Sequence, residues 1–317
     1  MLKHLFDKKH QLTIGIVVLV ILLAILTKGF TQFKPMSKDA VAKKGLEFMT
    51  ELVLAQNPNA KITLEKSENY HGLVKTDIDV DGEKIELYIS SDAKVAFAQP
   101  LLIDKSLALE KYPKAKTADV KLFTMSYCPY GNDAENTVLP VVAALKDAVE
   151  IQPHYVIYSN FPSDETEQKN YCWDSEGKYC SMHGLSELRQ DVRELCIYKY
   201  NKDSFWKYIE LVNKDCTNDN IETCWTKPAD TLKIDTNKIS TCLKDEGLAI
   251  LAEEKALNDK YSIQASPTLL INEVEFDGDR TSEGYKDAIC AGFETQPKAC
   301  SQKLTADIKG AASGSCN

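Results

Sequence analysis

Cysteine is missing from the first 127 residues of this 317-residue chain, and nowhere do two cysteines stand as C-x-x-C. The first absence divides the chain into a Cys-free N-terminal part and a Cys-rich remainder. The second argues against a zinc knuckle, which needs such close pairs. Positive charge is also in deficit. Lys and Arg number 38 against 47 Asp and Glu, a net charge of −9. An acidic chain is a poor partner for a phosphate backbone, so nucleic acid is excluded as the main ligand. There is no P-loop, no G-x-G-x-x-G and no H-E-x-x-H, so nothing signals a nucleotide or zinc-hydrolase site. The 44% hydrophobic and 27% charged content rules out a disordered or collagen-like chain. The length suits about two domains.

What is present in quantity is cysteine after residue 127. Ten stand at positions 128, 172, 180, 196, 216, 224, 242, 290, 300 and 316. The tightest spacings, Cys172 to Cys180, Cys216 to Cys224 and Cys290 to Cys300, suit disulfide loops. Disulfides persist in oxidising compartments, so an extracytoplasmic location is expected, in a periplasm or on the outer face of the cell membrane.

The N-terminus agrees. Residues 12–26 read LTIGIVVLVILLAIL, without a charge. As a helix this run spans about 22 Å at about 1.5 Å per residue, and the flanking Gln11, Thr27, Lys28, Gly29 and Phe30 complete a bilayer crossing. Lys3, Lys8 and Lys9 precede it, which leaves the N-terminus cytoplasmic and the bulk of the chain outside. A cleaved signal peptide is the alternative, but Thr27-Lys28-Gly29 is a poor cleavage site. We therefore expect residues 1–33 to be a cytoplasmic tip and a single transmembrane anchor.

Residues 34–103 read as a small α+β module. Ser37 is a suitable N-cap for a helix to about Leu54. Val41, Phe48, Met49, Leu52 and Val53 give that helix an apolar stripe. Strand patterns follow around Ile62 and Leu64, over residues 74–80 and 85–89, and at Val95 and Phe97, with Asp81-Gly82 as a hairpin turn. A helix on an antiparallel meander fits this order. His71 is alone and reads as a surface residue. The module reads as a spacer, a binding surface or a unit through which a homodimer forms. In pattern it is similar to the N-terminal modules of periplasmic disulfide isomerases such as DsbC. Residues 104–117 read as a linker.

The chemistry is concentrated after residue 118. Residues 119–127, DVKLFTMSY, are strand-like and run into Cys128-Pro129-Tyr130-Gly131; residues 134–146 read as a helix and 149–158 as a second strand. The cysteine stands where a strand ends and a helix begins. Free N–H groups and the positive end of the helix dipole stabilise a thiolate there, which makes a nucleophile near neutral pH. Pro129 suits the first helical turn, where no N–H is needed.

This stretch resembles the thioredoxin superfamily, in its DsbA-like and glutaredoxin-like branches. The match is carried by the strand, by Cys128-Pro129-Tyr130-Gly131, and by YSIQASPTLLIN at 261–272, where Ser266-Pro267-Thr268 enters a strand. The resemblance implies an α/β thioredoxin-like domain over residues 118–300 with a helical, cysteine-rich insertion at 160–258. It also implies that Pro267, cis, lies against Cys128, that Pro129 and Tyr130 tune and shield that cysteine, and that Ser266 and Thr268 orient the substrate backbone. Within the insertion, Cys180-Ser181-Met182-His183-Gly184, Glu187, Asp191 and Cys196 partly echo the gamma-interferon-inducible lysosomal thiol reductase family. There, Leu188 stands for a cysteine, Asp191 for an asparagine, and one residue is added before the histidine. His154 reads as a core or edge residue, and His183 as a packing or hydrogen-bonding one.

The departure from the expected dithiol is Gly131 at the fourth position of the motif. A lone thiolate attacks a disulfide but needs a second thiol to resolve the product. That thiol would come from a small molecule, from the substrate, from the insertion, or from Cys316 at the end of the flexible tail 301–317. The expectation is thus a membrane-anchored extracytoplasmic thiol–disulfide oxidoreductase or isomerase. Cys128 would be its attacking sulfur, protein thiols or disulfides its substrates, and an unidentified redox partner would regenerate it, with no metal and no organic cofactor. The alternative is a non-catalytic module of the same fold that holds a peptide or partner beside Pro267.

Overall fold

The computed structural model describes residues 35–55, 57–98 and 105–310. The expected anchor at residues 12–26 and the tail cysteine Cys316 lie outside them. No helix among the described residues is long and apolar enough to cross a membrane. The chain divides into two compact units between residues 103 and 104.

In the first unit, helix α1 (Lys38–Leu54) begins where the Ser37 hydroxyl accepts the N–H of Ala40. It buries Val41, Ala42 and Met49 against Val74, Ile78, Leu87 and Ile89 of an antiparallel sheet. The strands are β1 (Ile62–Tyr70), β2 (Leu73–Val80), β3 (Glu83–Ser90) and β4 (Ala96–Phe97), hydrogen-bonded in that order. Two tight hairpins make the meander. Asp81-Gly82 is the turn expected from sequence, with both residues at positive φ. His71-Gly72 is a second of the same kind, so His71 is a turn residue. Away from the helix, the sheet carries cross-strand ion pairs such as Lys75–Glu86 and Lys84–Asp77, a pattern suited to a solvated face.

The second unit is built on strands β5 (Val120–Thr124), β6 (Ile151–Tyr155), β7 (Thr268–Ile271) and β8 (Val274–Glu275) in the order β6-β5-β7-β8. β5 and β6 run parallel, while β7 is antiparallel to both β5 and β8. Side chains alternate across β5. Val120 and Leu122 pack with helix α3 (Pro129–Leu145) and the last helix α9 (Ser282–Ala291). Phe123 joins Val156, Ile263 and Leu270 in a second cluster around Cys128. This strand order, with a helix between the parallel strands and a closing helix after β8, is the thioredoxin arrangement. Helix α2 (Lys105–Ala108) precedes it. The stretch expected to be a linker belongs to this unit: Tyr112 is buried in its core, and Ala115 pairs with Phe293.

The insertion is helical, as expected. It holds α4 (Leu185–Tyr200), α5 (Lys202–Asp215), α6 (Ile221–Cys224), α7 (Thr226–Thr231) and α8 (Thr236–Tyr261). These enclose their own core of Leu188, Val192, Phe205, Tyr208, Ile209, Ile239 and Leu251. Cys172–Cys180, Cys216–Cys224 and Cys290–Cys300 close short loops, and Cys196–Cys242 ties α4 to α8 across a separation of 46 residues. The C-terminal stretch is less free than its composition implies. The Ile308 carbonyl accepts the N–H of Ser282, Lys309 pairs with Thr281, and the Gly310 N–H reaches the Arg280 carbonyl. The long Cys196–Cys242 crosslink constrains the unfolded chain most among the four. Replacing both cysteines by Ala is expected to cost about 2–4 kcal/mol, measured as the fall in urea-unfolding free energy.

Candidate functional site

Cys128 caps helix α3, with Pro129 in the first turn. Its N–H returns to the Met125 carbonyl at 3.0 Å, closing a turn at the end of β5. Across this turn stands the loop entering β7, whose Ser266–Pro267 peptide is cis. The two are joined twice. The Met125 N–H donates to Ser266 Oγ at 3.1 Å, and Cys128 Sγ lies 3.7 Å from the Ser266 carbonyl oxygen. The fold thus brings Cys128 and the Pro267 loop, distant in sequence, to one place. Thr268 faces inward and braces the loop by donating to the Ala265 carbonyl at 2.8 Å. The Tyr158 hydroxyl donates to Gln264, and Arg280 lies 3.5 Å from the Pro267 carbonyl. Tyr130, Tyr158, Met182 and Tyr261 are partly exposed around the cysteine, and Pro129 is exposed.

Cys128 itself is fully buried and disulfide-bonded. The structure therefore shows an oxidised state rather than the exposed thiolate expected from the helix-start position. The other eight described cysteines are joined to one another.

Beneath the Cys128 turn lies a feature the sequence reading recognised only in fragments. Glu187, Asp191 and Glu194 stand at i, i+4 and i+7 on α4 and so share one face. All three are buried and point into the β5–α3 connection. Asp191 Oδ1 accepts both the Ser126 N–H at 3.1 Å and its hydroxyl at 2.6 Å. Glu187 accepts the Tyr127 N–H at 2.8 Å, the His183 N–H at 3.2 Å and the Ser181 hydroxyl, and meets the His183 imidazole at 2.8 Å. Glu194 accepts from Tyr155 and from Gln190. A fourth acid, Glu135 on α3, takes the Thr124 hydroxyl and the Asn213 amide, each at 2.7 Å. His183 is a hydrogen-bonding residue as expected, and its hydrogen bond to Glu187 raises its pKa. His154 stacks on Phe123 and meets Glu254 at 2.9 Å. Within 180–196, Glu187 and Asp191 hold the turn that presents Cys128, while Ser181 and His183 hold Glu187. Glu135 and Glu194 were missed. The one available signal was acidic residues on the apolar side of two amphipathic helices. Among the described residues, no group of His, Cys, Asp and Glu is arranged to hold a metal.

Fold and site together define a thioredoxin-like domain with a helical insertion. The family described as the vacuolar sorting receptor thioredoxin-like domain has a sequence model that matches residues 140–290. This is a different family from the lysosomal thiol reductases echoed in the insertion. Among curated proteins, Vacuolar-sorting receptor 6 of Arabidopsis thaliana is 24% identical over 188 residues, covering 50% of this chain and 29% of the receptor. Vacuolar-sorting receptor 1 of Pisum sativum is 25% identical over 189 residues, covering 48% and 29%. The chain therefore spans less than a third of the length of these relatives. Among solved structures, oxidised BdbD from Bacillus subtilis is 18% identical with a TM-score of 0.39, covering 56% of this chain and 89% of that one. The reduced disulfide bond oxidoreductase DsbG from Mycobacterium tuberculosis is 16% identical with a TM-score of 0.40, covering 59% and 88%.

The buried acids carry a pH signature. Burial, with the nearby Glu194 charge second, pushes the Glu135 carboxyl up to about 8. Burial pushes Glu194 up to about 7 and raises Asp191 well above the usual carboxylate range. Each group then keeps a proton in the folded unit that the unfolded chain loses near pH 4. Their contribution to stability is therefore full below about pH 4 and declines as pH rises, Glu194 ionising near 7 and Glu135 near 8. Glu135→Gln removes one of these protons from the balance. Its stability relative to the parent, from urea unfolding, is expected to improve from near zero at pH 4 to on the order of 4 kcal/mol at pH 8.

Proposed function

We propose that this chain is an extracytoplasmic thiol–disulfide oxidoreductase acting on protein disulfides or thiols, with Cys128 and Cys316 as its redox pair. The observation that carries the reading is the oxidised Cys128 at the N-cap of α3, its sulfur 3.7 Å from the Ser266 carbonyl beside Pro267. The cysteine count supports the partner. Eight of the ten cysteines are joined in four pairs, Cys128 is disulfide-bonded, and Cys316 is the one that remains.

Distance supports it as well. A Cβ on Gly310 would lie 3.0 Å from Thr137 Oγ1 and 3.7 Å from the Asp133 carbonyl, so the last described residue abuts helix α3. Asp133 is five residues past Cys128, about 7.5 Å along the axis at about 1.5 Å per residue. The six steps from 310 to 316 reach up to about 20 Å at about 3.3 Å each, more than enough.

In the reduced protein, the helix N-terminus favours the Cys128 thiolate. That thiolate attacks one sulfur of a substrate disulfide. The substrate S–S bond breaks, one substrate thiolate leaves, and the other sulfur joins Cys128. Cys316, as thiolate, then attacks Cys128 Sγ, forms the Cys128–Cys316 bond and releases the second substrate thiolate. The substrate gains two electrons and the enzyme pair loses two. The reverse sequence oxidises a substrate dithiol, and a separate thiol or disulfide partner resets the pair. The four disulfides among the described residues support an extracytoplasmic setting, with residues 12–26 as the proposed anchor.

A second reading is a binding module that retains the fold without turnover. It is favoured by the similarity to sorting receptors, because the matched span 140–290 begins beyond Cys128. Peptide mapping of the unreduced protein, followed by insulin-disulfide reduction with a small dithiol as reductant, separates the two. The exchange reading expects a Cys128–Cys316 peptide, loss of activity in Cys128→Ser, and accumulation of trapped mixed disulfides in Cys316→Ser. No turnover by the parent, with Cys128→Ser binding peptides unchanged, would establish the binding module instead.

A further inference from the structure

Gly131 stands at the place where a dithiol site on this fold carries its second cysteine. Its backbone is helical, and it is not among the residues at positive φ. The chain therefore does not need glycine there for conformation. In a helix glycine is disfavoured against alanine by about 0.5–1 kcal/mol, so its presence calls for a steric reason. The structure supplies one. A Cβ on Gly131 would lie 2.6 Å from Ser266 Oγ, 3.2 Å from the Met125 carbonyl oxygen and 3.4 Å from Thr124 Cβ. The first distance is shorter than a carbon and an oxygen tolerate. Ser266 is buried, and its Oγ is held where it is by the Met125 N–H. Turning the hydroxyl away would leave that N–H without its acceptor in a buried place.

We propose that Ser266 is a positioning residue that keeps a second thiol off helix α3: its hydroxyl fills the volume where any side chain at 131 would start, while tying the Pro267 loop to the Cys128 turn. The single-thiol character of the helix is thus a property of two residues, Gly131 and Ser266, which face each other across the site. With that space filled, the thiol that resolves Cys128 must approach from outside α3. The inference deepens the exchange reading and takes from it the role of Cys128 as the reacting sulfur.

The test restores the missing cysteine. Gly131→Cys is made in a Cys316→Ser chain, with Ser266 either intact or replaced by Ala. Each protein is equilibrated with glutathione and its disulfide. The bond between Cys128 and the introduced thiol is quantified by peptide mass spectrometry. Formation oxidises the two thiols and reduces one glutathione disulfide to two glutathione thiols. The equilibrium constant is expected to be at least about tenfold larger in the Ser266→Ala background, in the range of couplings between touching residues. Equal constants in the two backgrounds would overturn the proposal. If the Gly131→Cys chains do not fold, Gly131→Ala alone and combined with Ser266→Ala decides by urea unfolding. The cost of Gly131→Ala must shrink at least about tenfold in folding equilibrium constant when the Ser266 hydroxyl is removed, and additive effects would sink the idea. Neither readout requires turnover, so a parent protein inactive on insulin would end the exchange reading without deciding this one.

Discussion

Of the two contacts that join the Cys128 turn to the Ser266–Pro267 loop, the buried hydrogen bond from the Met125 N–H to Ser266 Oγ ties backbone to loop. Much of the site depends on it. The bond joins residues 141 positions apart in sequence. Beside it the Cys128 sulfur meets the Ser266 carbonyl, and it fixes how much room helix α3 has in its first turn. A buried N–H deprived of its acceptor costs about 1–3 kcal/mol, so the two segments are strongly disposed to remain in register. The chemistry proposed here needs that register, because exchange requires the sulfur and the loop that aligns its substrate to keep a fixed relation.

The insertion supplies the support from below. A thioredoxin-like sheet with one helix on Cys128 would leave the Ser126 and Tyr127 N–H groups buried without partners. Helix α4 meets them with Asp191 and Glu187. The insertion is thus more than a cap on the domain, because its first long helix completes the hydrogen bonding of the turn that carries Cys128. Placed together away from water, Glu135, Asp191 and Glu194 have raised pKa values, and they settle this by retaining protons.

Much of this was legible in the sequence because it is local. The Ser37 cap, the Asp81-Gly82 hairpin, the strand before Cys128 and the Ser266-Pro267-Thr268 entry into β7 each leave a short signature in residue type and period. Cysteine spacing pointed to the three short disulfide loops. What was not legible depended on distant partners. The 104–117 stretch looks like a linker by composition, yet Tyr112 finds a core to enter. Glu135 and Glu194 are buried only because the fold turns them inward. The reason for Gly131 lies at residue 266, and no pattern near 131 announces it.

The lashing of residues 302–310 to helix α9 and to Arg280 has a kinetic meaning. Because Cys290–Cys300 and the hydrogen bonds at Ile308 and Gly310 do not involve Cys128, the root of the tail stays beside α3 whether or not the Cys128 bond is closed. If Cys316 is the resolving thiol, as proposed, so short a tether would give it an effective concentration in the millimolar range. Under the proposed Cys128–Cys316 pairing, ring closure would be a unimolecular event, indifferent to dilution of the protein, and an external thiol would have to be present at comparable concentration to compete.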